Sequence, residues 1–115
     1  MRRGDIRLTD LGPVRGSEAD ERRPAVVVSN DRANAAAVRL GRGVVTVVPV
    51  TSNVSRVFPF QVLLQAEATG LPVDSKAQAE QVRSVSVERL GPVVGRLPAQ
   101  VLAELDDALR LHLQL

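Results

Sequence analysis

The sequence predicts a mainly β (α+β) fold, a small curved antiparallel barrel of the SH3-like kind capped by a C-terminal helix. Three observations carry this. Short apolar runs, several rich in β-branched residues, recur between turn-forming residues from Asp5 to Val87. A helical period appears only after Pro98, and no linker, repeat or low-complexity segment interrupts the chain. Its 115 residues therefore form one domain, 1–115.

The elements follow in order. Asp5 to Asp10 alternates Ile6 and Leu8 with polar neighbours, as a half-buried strand does. Leu11 to Glu21 holds two glycines, Pro13 and several charges, and reads as a long exposed loop. Pro24 to Ser29 is a short continuous apolar run, hence a buried strand with Pro24 expected at its first position. Asn30 to Asn34 has turn and cap chemistry, and Ala35 to Arg42 fits neither period cleanly. Gly43 to Thr51 is the clearest strand, followed by a polar loop to Pro59 and a returning strand from Gln61 to Ala66. Thr69-Gly70-Leu71-Pro72 makes a turn, and Ser75 to Val87 supplies one or two more strands. From Pro98, a good first helical residue, Val101, Leu102, Leu105, Ala108, Leu109 and Leu113 form one apolar stripe.

Composition narrows the chemistry. There is no cysteine, so disulfides, thiolate metal sites and cysteine nucleophiles are excluded, in keeping with a reducing cytoplasm. One histidine, His112, rules out a two-histidine proton relay; at the end of the last helix it suits a bland capping role. The only aromatics are Phe58 and Phe60, expected in the core rather than as a base-stacking pair, although Phe58 could do both. With so few, a Val, Leu and Ala core buries little area per residue, which points to further burial by dimerisation. No run is long and apolar enough for a membrane span or a signal peptide.

The pI of 10.4 overstates the basicity, because formal net charge is only +2 and fourteen of the fifteen cationic side chains are arginine. Charge is unevenly placed: residues 1–60 carry ten arginines against six acids, residues 61–115 five cations against seven acids. The basic part holds the signatures Gly16-Ser17-Glu18, Arg23-Pro24-Ala25-Val26-Val27 and Val48-Pro49-Val50-Thr51. Each of the last two sets a polar side chain at the end of a buried strand.

With Arg3-Gly4-Asp5-Ile6 before them and Glu80-Gln81-Val82-Arg83 after, these signatures resemble, in order and spacing to about Leu90, the MazF/PemK family of toxin endoribonucleases. The resemblance implies a barrel of the plasmid-maintenance-toxin type, a homodimer, and cofactor-free, metal-independent cleavage of single-stranded RNA. It also implies a cognate antitoxin whose flexible acidic segment covers the site. Cleavage of this kind proceeds by attack of the ribose 2′-OH on the adjacent phosphorus, leaving a 2′,3′-cyclic phosphate and a 5′-OH.

On that reading Arg23, Thr51 and Glu80 are the catalytic candidates. A guanidinium matches two phosphate oxygens and keeps its charge, so Arg23 suits stabilisation of the pentavalent phosphorane, with a second role open to it as the acid. Its bland alternative is an ion pair with Glu18, Asp20 or Glu21. Thr51 can donate its hydroxyl to phosphate, with Ser52 as a second donor, or be an ordinary strand residue. Glu80 can act as base once burial raises a carboxyl toward neutrality, or simply pair with Arg83. An arginine found in some relatives two positions before the acid is Gln78 here. Arg15, Arg56 and Arg32 are expected on RNA phosphates, and Ser17, Glu18, Ser52, Asn53 and Gln81 along the bases. Two other readings compete: a toxin of the same fold that binds DNA gyrase, and a non-catalytic interaction module.

Overall fold

The computed structural model describes residues 1–12, 16–17 and 22–115. Among the described residues, seven strands form one antiparallel sheet: β1 (Asp5–Asp10), β2 (Arg22–Val27), β3 (Val44–Thr51), β4 (Gln61–Leu64), β5 (Ser75–Gln78), β6 (Arg83–Ser86) and β7 (Leu90–Arg96). Three helices accompany them: α1 (Asp31–Leu40), the single turn α2 (Ala66–Thr69) and α3 (Ala99–Leu113). The strand order is β4-β5-β3-β2-β1-β7, with β6 added on β3. Mainly β with a terminal helix is therefore correct, whereas the expected barrel is not closed: β4 and β7, at the two ends of the path, do not pair with each other.

β3 organises the sheet. One edge pairs with β2; along the other, its first half pairs with β6 and its last two residues with β5. A strand paired on both edges and covered on both faces reads as unbroken hydrophobicity, which explains its Val-rich sequence. Val48 and Val50 face one core, with Ile6, Val26, Leu64 and Leu105 of α3. Val45 and Val47 face a second, with Leu11, Ala25, Val85 and Ala37 of α1. Neither phenylalanine belongs to a core, contrary to expectation.

The ambiguous stretch after Asn30 is helical from Asp31. Asn30 Oδ1 accepts the Ala33 N–H at 2.8 Å, and Gly41 ends the helix with φ +64°. Asn34, fully buried, completes the junction by donating Nδ2 to the Ser29 carbonyl at 2.8 Å and accepting the Ser29 hydroxyl. Pro24 is the third residue of β2, not the first, and the paired register with β3 begins only after it, at Ala25. β7 went unread because Gly91, Pro92 and Gly95 look like loop residues. They are tolerated in an irregular edge strand, and a Cβ on Gly95 would lie 2.7 Å from the Thr69 carbonyl oxygen.

The Arg3-Gly4-Asp5-Ile6 signature is structural. The Gly4 N–H donates to the Val27 carbonyl, Arg3 Nε to the Val28 carbonyl, and Arg3 pairs with Asp106 of α3 at 2.6 Å. Buried Asp5 accepts the Arg2 N–H and pairs with Arg96 of β7. These contacts tie β1, β2, β7 and α3 together, at the end of β2 remote from Arg23.

Candidate active site

The paired register of β2 and β3 ends at Ala25 opposite Pro49. Two residues further along the same register stand Arg23 and Thr51, and the period of two puts both on one face. They line a cavity of about 290 Å³ whose other walls include Arg22, Pro24, Ser52, Leu71 and Ser75. The predicted guanidinium, hydroxyl and second hydroxyl thus meet at one end of the sheet.

Arg23 is half-buried. Its Nη1 lies 3.5 Å from Gln78 Oε1 and its Nε is buried without a hydrogen-bond partner. Among the described residues the ion pairs are Arg3–Asp106, Arg96–Asp5 and Arg110–Asp107, so none engages Arg23. Glu18, Asp20 and Glu21, its alternative partners, lie outside the described residues. A buried, unpaired guanidinium nitrogen is costly unless a ligand fills it. Thr51 Oγ1 accepts the Asn53 N–H at 3.2 Å, which leaves its own proton to donate. The two larger cavities that contain arginine are less suited to a phosphate. In one, of about 570 Å³, Arg3 and Arg96 are already paired; the other, of about 560 Å³, is lined by Asp10 and Glu88.

Glu80 does not line the Arg23–Thr51 cavity. It lies in the short helical turn Ala79–Gln81 after β5, where Oε2 accepts Gln61 Nε2 at 2.7 Å and Oε1 is buried without a partner. It does not pair with Arg83, which donates to the Leu11 carbonyl. Gln61 and Gln78 are direct partners across β4 and β5, so an amide pair stands between Arg23 and Glu80.

The binding candidates divide. Ser52 and Asn53 are exposed directly beyond Thr51, and Asn53 Oδ1 is occupied by Ser55, fixing the loop. Arg56 is exposed on the same loop. Gln81 Nε2 donates to the carbonyl of exposed Ser17 at 3.0 Å, so these two predicted residues meet. Arg15 and Glu18 lie outside the described residues. Arg32, on α1, follows the far end of β2 and is not brought to the cavity. His112 is exposed in the last turn of α3.

Sequence reasoning passed over Lys76 and Gln61. Lys76, the only lysine, is opposite Thr51 in β5, buried, and donates Nζ to the Arg56 carbonyl. Its position in a short, otherwise unremarkable strand gave no signal. Among the described residues, no group of three or more His, Cys, Asp or Glu side chains is arranged to hold a metal ion, and no helix is long and apolar enough to cross a membrane.

Residues 2–113 match the family described as PemK-like, MazF-like toxin of type II toxin-antitoxin system. The chain is 68% identical over 115 residues to the endoribonuclease MazF9 of Mycobacterium tuberculosis, covering 100% of this chain and 98% of that one. The crystal structure of MazF from Deinococcus radiodurans superposes with a TM-score of 0.81 at 30% identity, over 100% and 97% of the two chains. An endoribonuclease in complex with its cognate antitoxin, from a mycobacterial species, matches with a TM-score of 0.77 over 100% and 96%; at 22% identity it shows the fold alone.

Proposed function

Since the chain belongs to the PemK-like, MazF-like family of type II toxin–antitoxin toxins, we propose that it is the toxin endoribonuclease of such a system and cleaves single-stranded RNA at the Arg23–Thr51 cavity. One observation carries the siting: a half-buried arginine with an unpartnered Nε shares a cavity with a threonine hydroxyl free to donate.

A phosphate seated there receives charge-assisted hydrogen bonds from Arg23, and from Thr51 and Ser52 on its other oxygens. The ribose 2′-OH gives its proton to water and attacks phosphorus in line; the P–O5′ bond breaks as the P–O2′ bond forms, and the departing 5′ oxygen takes a proton from water. The ends are a 2′,3′-cyclic phosphate and a 5′-OH. Charge grows on the non-bridging oxygens in the transition state, so Arg23 binds that state more tightly than the substrate.

Glu80 lies outside the cavity, behind Gln61 and Gln78, and is assigned to positioning: its Oε2 fixes Gln61, whose cross-strand partner Gln78 contacts Arg23. Glu80→Gln, which keeps the side chain's shape, is then expected to cleave within about tenfold of the wild-type rate, and a larger loss in the folded variant assigns Glu80 a direct role.

In this reading the protein acts in the cytoplasm and arrests growth. It works as a homodimer that covers exposed apolar side chains such as Leu111 and Leu113. A monomer in sedimentation equilibrium would contradict that assembly. A cognate antitoxin occludes the cavity with an acidic flexible segment, so adding it stops cleavage; continued cleavage by the saturated complex counts against occlusion. The gyrase reading has no counterpart to the Arg23–Thr51 cavity. The test of function is incubation of the purified protein with a long single-stranded RNA in excess EDTA. Cuts restricted to a short sequence support the assignment, and intact RNA overturns it.

A further inference from the structure

Phe58 and Phe60 are the only aromatic side chains in the chain, and neither is spent on a core. Their rings are parallel, 2° apart in tilt, with centroids 5.3 Å apart. The Arg56 guanidinium lies 4.9 Å from the Phe58 centroid and Lys76 Nζ 5.9 Å from it. Arg56 is exposed and Phe58 remains 37% exposed.

The backbone under this stack is fixed. Phe58 to Gln61 forms a tight turn, with the Gln61 N–H on the Phe58 carbonyl at 2.8 Å and Pro59 in the position that presets φ. The Phe58 N–H donates to Gln61 Oε1 at 3.1 Å, and Lys76 Nζ holds the Arg56 carbonyl. The loop leaves the sheet at Thr51 and Ser52, two residues of the phosphate cavity. Lys76, which bears on Phe58, is the cross-strand partner of Thr51.

We propose that Arg56, Phe58 and Phe60 form a stacking platform for one unpaired base of the RNA strand whose phosphate sits at Arg23 and Thr51. This rests on the ribonuclease reading and adds a base site to it. Planar groups already stacked at a fixed angle take another planar ring at little ordering cost. Two cations set against Phe58 suit a strand that carries phosphates on either side of that base. An apolar protein side chain fits less well, because covering the stack would bury the Arg56 charge without a counter-ion. Every base offers a π-face, so the platform strengthens binding and does not set the cleavage sequence.

The test uses a fully 2′-O-methylated RNA spanning a mapped cut site, carrying one 2-aminopurine whose fluorescence falls on stacking. The protein has no Trp or Tyr, so the signal belongs to the probe. Wild type is expected to quench the probe. Phe58→Leu is expected to weaken binding by about 5- to 150-fold and to leave the cut positions in all-ribose RNA unchanged. Arg56→Gln, which keeps the backbone carbonyl that Lys76 holds, is expected to weaken binding to a smaller extent and serves if Phe58→Leu fails to fold. Binding by both folded variants within twofold of wild type overturns the platform while cleavage stands, and leaves the loop to a protein partner. A wild type that neither binds nor cleaves overturns the ribonuclease reading, and the platform with it.

Discussion

Arg23→Ala is expected to slow RNA cleavage by about 10²–10³-fold at saturating RNA while leaving the thermal unfolding midpoint near that of wild type. The rate falls because a preorganised guanidinium is worth most when charge builds on the phosphate oxygens. The fold is spared because, among the described residues, Arg23 forms none of the ion pairs and its side-chain hydrogen bond, to Gln78, is long at 3.5 Å. Arg23→Lys restores charge but not the two-pronged geometry, so it recovers only part of the loss. Thr51→Val, of similar shape, removes one donor to a charged group and is expected to cost about 10- to 150-fold. Single-turnover rates measure all three. Arg23→Ala at the wild-type rate would move the chemistry out of this cavity.

Leu105→Ala is expected to destabilise the fold by about 2–5 kcal/mol in urea unfolding. Leu105 is fully buried among Ile6, Val48, Leu64 and Ala77, where α3 closes the first core. Rigid strands on both sides limit collapse into the cavity left behind. The same helix packs on β4 and on the turn carrying Glu80, so the variant should also lose activity below its unfolding midpoint. A loss under 1 kcal/mol would mean that α3 docks loosely and does not support the site.

Much of this was legible because burial leaves plain marks. β3 reads as a strand from its Val run, and α3 from its leucine stripe. α1 was obscured by a polar, alanine-rich sequence that buries only Asn34 and Ala37. β7 was obscured because an edge strand needs neither alternation nor a full ladder, and its glycines are there for close approach to β1 and Thr69. At the site, Arg23, Thr51 and Ser52 were visible as polar ends of buried strands, and the structure gathers them. Arg32 was not separable from them by charge alone; chain direction places it at the other end. Gln61 and Lys76 left no trace, since each acts through a cross-strand neighbour distant in sequence.

Attack of the 2′-OH on a phosphate held by Arg23 and Thr51 needs no metal but cannot proceed without that hydroxyl. Two oligonucleotides in excess EDTA separate these requirements, one all-ribose and one with a single 2′-deoxynucleotide on the 5′ side of a mapped cut. The first is expected to yield a 2′,3′-cyclic phosphate and a 5′-OH, and the second to stay uncut at the altered linkage. Cleavage at the deoxy linkage, or none of either substrate until a divalent metal is restored, would contradict metal-free 2′-OH attack.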